Sequence, residues 1–271
     1  MKRNVKRHER KRRHDLIGSF IIVACFLVAI ALIFVYVRTN ATERKIDEQT
    51  LCPVDGADGL TVVLIDRTDP LSAIQREDLM RHLDQLKAAL PIRTAIEVYS
   101  IGADQGDLLK PEGHRLCNAG RATDVDALTG NPRLTEKRWR ERFSRPLDDL
   151  FERMTQSATS PRSPIMEAIQ SVAVTAFGRL PERASYRRLV IVSDMLQNSD
   201  LLSQYGKLIA FDQFKQQNQY QRLRTDLKGV EVELWYIGGR SPLQGRQHIE
   251  FWQQYFANTG ATLVRVSAIQ G

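Results

Sequence analysis

From Leu16 to Val37 the chain runs 22 residues without a charged side chain. As a helix rising about 1.5 Å per residue, that run reaches roughly 33 Å, enough to cross the hydrocarbon core of a bilayer. A buried helix of a globular domain rarely lacks polar positions over such a length. A cleaved leader has a shorter apolar stretch and ends on small residues, whereas this run exits through Tyr36-Val37-Arg38-Thr39-Asn40-Ala41. The reading is one uncleaved transmembrane helix over residues 16–37, with residues 1–15 on one side of the bilayer and everything from residue 38 on the other.

Charge decides which side is which. Residues 1–15 hold eight Lys and Arg against Glu9 and Asp15, while Arg38, Arg44 and Lys45 follow the run. The positive-inside bias places the N-terminus in the cytoplasm and residues 38–271 in the periplasm or at the cell surface. The formal charge of +7 belongs almost wholly to the tail, because residues 16–271 carry 31 basic and 30 acidic side chains. No nucleic-acid partner is therefore expected. The tail reads as a topology signal resting on lipid headgroups; the alternative is a hold on anionic lipid or nucleic acid. A hydrophobic fraction of 42% excludes whole-chain disorder.

Residues 38–58 are polar and read as a stalk; residues 59–271 read as one domain. Apolar runs ending in polar residues predict strands at Leu60–Ile65, Ala95–Ile101, Arg188–Ser193, Val230–Ile237 and Ala261–Val266. Helical spacing covers Pro70–Leu90, Thr135–Thr155, Pro164–Phe177, Lys207–Leu227 and Gln244–Asn258. Strand and helix in alternation predict an α/β fold, a doubly wound and mostly parallel sheet with helices on both faces. Residues 103–134 break the rhythm with Gly106, Pro111, Gly113, Gly120, Gly130 and Pro132, and read as a hairpin or edge excursion followed by a loop. Cys117 lies in that loop and Cys52 at the start of the domain. In an oxidising compartment the two can form a disulfide; the alternative is a pair of unbridged thiols. Cys25 lies within the membrane run.

In open α/β sheets, sites form beyond the carboxyl ends of the strands. Asp66 ends one apolar strand, and Asp194 follows another. Thr68 and Ser193 bring hydroxyls beside them, and Ser163 opens a helix. Carboxylate and hydroxyl oxygens suit a hard cation such as Mg²⁺. Thr68, Asp69 and Ser163 also have a plainer role as caps of the helices that follow, and Arg67 could neutralise Asp66.

This pattern resembles the von Willebrand factor A-like family over roughly residues 58–268. The resemblance implies a doubly wound sheet and a metal-ion-dependent adhesion site built from an Asp-x-Ser-x-Ser run, a loop Thr and a later Asp. Asp66 matches the first acid, Thr68 replaces the first serine, Ser163 stands for the loop threonine and Asp194 for the late acid. Pro70 stands at the second serine and supplies no side-chain oxygen. The site is thus degenerate, either able to hold Mg²⁺ or vestigial.

No nucleophile elbow, phosphate-binding loop or zinc spacing occurs. Phe251, Trp252, Tyr255 and Phe256 have the spacing of a helix core. Arg138, Trp139, Arg140 and Arg142 form a basic stretch that reads as a solvated helix face. The expectation is a non-enzymatic, membrane-tethered module that binds a protein partner in the envelope or at the cell surface. The alternatives are a structural component of an envelope complex and, less favoured, a metal-assisted hydrolase.

Overall fold

The computed structural model describes residues 20, 22–34, 44–102, 108–125, 130–156, 160–181, 183–206, 208–239 and 241–271. The chain divides into two units, Met1–Lys45 and Ile46–Gly271. In the first, residues 22–34 are helical and expose apolar side chains such as Phe26 and Leu32. The basic tail and both ends of the Leu16–Val37 run lie outside the described residues. Among the described residues no helix is long and apolar enough to cross a membrane.

The second unit is a six-stranded sheet with helices on both faces, as the alternating sequence pattern predicts. Its elements are β1 (Gly59–Asp66), α1 (Ala73–Ala89), β2 (Thr94–Ile101), β3 (Leu116–Cys117), α2 (Pro132–Trp139), a π turn (Arg140–Ser144), α3 (Arg145–Met154), α4 (Ile165–Thr175), β4 (Tyr186–Ser193), α5 (Phe211–Lys215), α6 (Asn218–Leu223), β5 (Glu231–Ile237), α7 (Arg246–Asn258) and β6 (Thr262–Ile269). The strand order is β3-β2-β1-β4-β5-β6. All neighbours are parallel except β2 and β3, so the predicted excursion is a short antiparallel edge. The fold fits the doubly wound class.

β1 is buried along its whole length because both of its faces are covered. Leu60, Val62 and Leu64 join the core beneath α4 to α7, while Val63 and Ile65 join the one beneath α1 to α3. This is why its sequence is a continuous apolar run and not an alternating one. Gly59 is required by a close approach: a Cβ there would lie 2.6 Å from the Tyr186 Cβ on β4. Along the π turn, Trp139, Phe143 and Leu147 are all buried. A π turn takes an extra residue, which offsets the angular drift of side chains spaced four apart.

Several helix boundaries differ from expectation: α2 starts at Pro132 and not Thr135, within the stretch read as a loop, and α7 starts at Arg246 and not Gln244. The first helix starts at Ala73, not Pro70, because Ser72 caps it in a reciprocal pair with Gln75. Thr68 and Asp69 are thereby not its caps. Where one helix is expected over residues 207–227, the described part holds two short helices, Phe211–Lys215 and Asn218–Leu223, separated by extended backbone at Gln217. Phe211 and Phe214 face the core in one and Tyr220 and Leu223 in the other, and the polar stretch between them has no apolar stripe to continue a single helix.

The folded unit begins at Ile46, so residues 46–58 pack within it. Asp47 accepts hydrogen bonds from the Gln49 and Thr50 N–H groups, Ile46 bridges to Pro53, and the Thr50 carbonyl accepts from Cys117 N–H at 2.8 Å. A Cys52–Cys117 disulfide closes this segment onto the sheet, with Cα atoms 4.8 Å apart. Cys117 pairs with Ala95, the second residue of β2, so the bridge sits at the amino edge of the strands.

Candidate functional site

The candidate site lies at the opposite, carboxyl edge, in the crevice between β1 and β4. The chain leaves β1 toward β2 on one side while β4 lies on the other, which makes this the switch point of the sheet. Ile65 is paired with Val192, which brings Ser193 level with Asp66. Side chains of paired residues in a parallel ladder share a face, so the Ser193 hydroxyl turns toward the Asp66 carboxylate.

Asp66 is buried and accepts four hydrogen bonds. Its Oδ1 takes the Thr68 N–H at 3.0 Å and the Thr68 hydroxyl at 2.6 Å; its Oδ2 takes the Ser163 and Ser193 hydroxyls, each at 2.8 Å. The Thr68 contacts form an Asx turn that bends the chain as β1 ends. Ser163 comes from the loop before α4, 97 residues along the chain from Asp66. The helix there starts one residue past Pro164 without a side-chain cap, so the Ser163 hydroxyl donates to Asp66 and does not cap its own helix. Arg67 sends its guanidinium to the Gln156 carbonyl at 3.1 Å. Among the described residues, no ion pair of Asp66 replaces it.

Asp194 sits one residue beyond β4. Its Oδ1 accepts from Leu196 N–H at 2.9 Å, and its main-chain carbonyl accepts from the Gln244 amide at 3.0 Å. Its charge also helps push the Tyr236 hydroxyl up to about 12, a shift caused mainly by burial. The structure thus joins Asp66, Thr68 and Ser163 by direct hydrogen bonds and adds Ser193. It places Asp194 just past the end of the neighbouring strand, with one carboxylate oxygen engaged in its own turn. Among the described residues, no three His, Cys, Asp or Glu side chains converge as a metal cluster.

The turn after Asp194 is held from behind. Met195 is buried with φ of 60°, a left-handed conformation that costs a residue with a Cβ about 1 kcal/mol or more. Its N–H donates to the Ser193 hydroxyl at 2.8 Å. Its carbonyl accepts from the Trp252 indole at 2.9 Å and lies 3.0 Å from His248 Nε2. His248 Nδ1 lies 2.8 Å from the Tyr236 hydroxyl, and its Nε2 also lies 3.1 Å from the Trp252 indole nitrogen. Gln197 ties the same loop to α4: its Oε1 accepts from Met166 N–H at 2.8 Å and its amide donates to Glu167 at 2.9 Å. An antiparallel bridge joins Ser163 to Asn198. The two loops that supply Ser163 and Asp194 are therefore one hydrogen-bonded body.

Burial holds His248 below its ordinary value of 6.5, against the opposing pull of the Met195 carbonyl. A histidine with a depressed folded pKa binds protons more readily unfolded, so its contribution is complete above about pH 6.5 and is lost as pH falls toward the folded value. The urea midpoint should accordingly decline between about pH 7 and pH 5, and His248→Gln should flatten that decline. An unchanged slope in His248→Gln would assign the acid sensitivity to other groups.

No protein-family model matches the chain, and no curated protein does. Among solved structures, the chain is similar to an aerotolerance-related membrane protein from Bacteroides fragilis NCTC 9343, solved with multiple mutations to serines. The identity is 10%, the alignment covers 79% of this chain and 92% of that one, and the TM-score is 0.38. A likeness of that degree carries no weight in the functional reading.

Proposed function

We propose that this chain is a membrane-tethered, extracytoplasmic binding module whose von Willebrand factor A-like domain engages a protein partner through the Asp66 crevice, without catalysis. The observation that supports this reading is the gathering of Thr68, Ser163 and Ser193 hydroxyls from three separate segments around one buried carboxylate at the switch point. A hydroxyl that donates its proton to Asp66 keeps a lone pair for a cation. An all-oxygen set of this kind suits Mg²⁺, which readily keeps waters for its remaining positions. Asp66, Thr68, Ser163 and Ser193 would hold the ion, with Asp194 as the second carboxylate. The ion would offer an open position to an Asp or Glu of the partner. The tether rests on the uncharged Leu16–Val37 run and on the charge asymmetry around it.

A second reading has its own support. The four donors already satisfy Asp66 without an ion, and Pro70 supplies no side-chain oxygen. The crevice would then be a structural polar network within a scaffold component of an envelope complex.

Calorimetric titration of the purified full-length chain with Mg²⁺ separates the two. The first reading expects weak but saturable binding that Asp66→Ala abolishes and Pro70→Ser strengthens, with cooperative melting retained in each variant. No saturable heat from wild type and Pro70→Ser alike would leave the scaffold reading standing.

A further inference from the structure

The helical segment that begins at Pro132 carries a positive charge excess that the rest of its unit does not share. Residues 46–271 hold 28 basic and 29 acidic side chains. Within residues 132–145 alone there are six basic side chains, Arg133, Lys137, Arg138, Arg140, Arg142 and Arg145, against Glu136 and Glu141. All six cations are exposed. Trp139 and Phe143 take the buried side of the same segment, so the cations are spread over an outer arc roughly 20 Å long. Leu134 stands among them, 54% exposed.

The first residues of the folded unit run along this arc. Ile46, Glu48 and Leu51 share a shallow groove with Leu134, Lys137 and Arg142. The Arg142 guanidinium donates to the Glu48 carbonyl at 3.0 Å. The Cys52–Cys117 disulfide holds that entering segment in place. Residues 38–45, the only chain between Ile46 and the predicted span, can reach at most about 28 Å when fully extended.

We infer that this arc is a lipid-facing surface that docks on the anionic phospholipid headgroups of the bilayer to which the chain is tethered. The inference rests on the tethered reading given above. Its form suits mobile anions spread over a plane: a row of exposed cations around one exposed leucine. Charge complementarity supplies the attraction, which falls off within about a Debye length of 8 Å. The tether keeps the surface within reach, so each contact can be weak.

Leu134→Trp in the full-length chain provides the test, because the native Trp139, Trp235 and Trp252 are buried. The variant is placed in nanodiscs containing brominated phosphatidylcholine, either alone or mixed with an equal part of phosphatidylglycerol. Docking predicts at least about twofold stronger tryptophan quenching in the anionic discs, relieved at about 0.5 M salt. Adding Arg133→Glu, Lys137→Glu and Arg138→Glu should abolish the difference while the melting transition is kept. Equal quenching in the two lipids, or none, overturns the inference and leaves the arc to an acidic protein. Failure of the chain to co-elute with the discs overturns the tethered reading itself and this inference with it. Co-elution without lipid-dependent quenching overturns the inference alone.

Discussion

Removing the Cys52–Cys117 bridge, by Cys52→Ala with Cys117→Ala, should lower the unfolding free energy by about 4 kcal/mol. The bridge spans 65 residues of sequence and includes β1, α1 and β2, so it shortens an unfolded loop that would otherwise sample many conformations. For a unit of this size the loss corresponds to a melting temperature roughly 10 °C lower. The reduced wild-type protein should melt with the double variant, and a reductant should leave the double variant unmoved. A fall of less than about 1 kcal/mol would show that the entering segment is fastened by its other contacts, such as the Thr50 carbonyl on Cys117 N–H.

The second large effect is expected at Trp252. This residue is fully buried, packs edge-on against Phe251 and Tyr255, and bonds the Met195 carbonyl. Trp252→Ala should cost about 4 kcal/mol, the usual loss for an aromatic truncated in a packed core. Trp252→Phe keeps a ring and removes the indole donor; it should cost about 1 kcal/mol, since the Met195 carbonyl still has its neighbours in Gln197 N–H and His248. The two variants separate packing from the hydrogen bond that steadies the left-handed turn. Equal losses in chemical denaturation would mean that the turn, and not the core, dominates at this position.

The parts of this fold that could be read from the chain are those where one physical demand governs a whole segment. β1 and β4 must be apolar on both faces, so their runs stand out and the acids that end them are conspicuous. Helix α1 shows its stripe of Leu79, Leu83 and Leu86 for the same reason. Its start was obscured because Pro70 and Ser72 are both good openers, and only the reciprocal bond to Gln75 chooses between them. β3 has two residues, too few for any periodicity to show. At the crevice, Asp66, Thr68 and Ser163 could be picked out by type and position. Ser193 was visible as a hydroxyl beside Asp194, but its bond to Asp66 depends on which strand lies next to β1 and in what register. His248, Trp252, Gln197 and Gln244 were illegible as supports of the site. His248 and Trp252 meet the carbonyl of the left-handed Met195, and the two glutamines reach across to other elements, so no local pattern announces any of them.

The fastening at Cys52 and the crevice at Asp66 lie at opposite ends of β1, with consequences under mechanical load. A partner gripping the Asp66 edge and pulling against the disulfide-held entry would strain β1 along its own axis. β1 is flanked on both sides by parallel strands, each joined to it by evenly spaced bonds along nearly its whole length. Tension in that direction shears both ladders at once instead of peeling them bond by bond, so the sheet would yield only when many hydrogen bonds fail together. Under the proposed reading, load between the tether and a bound partner would be carried by the two ladders that flank β1.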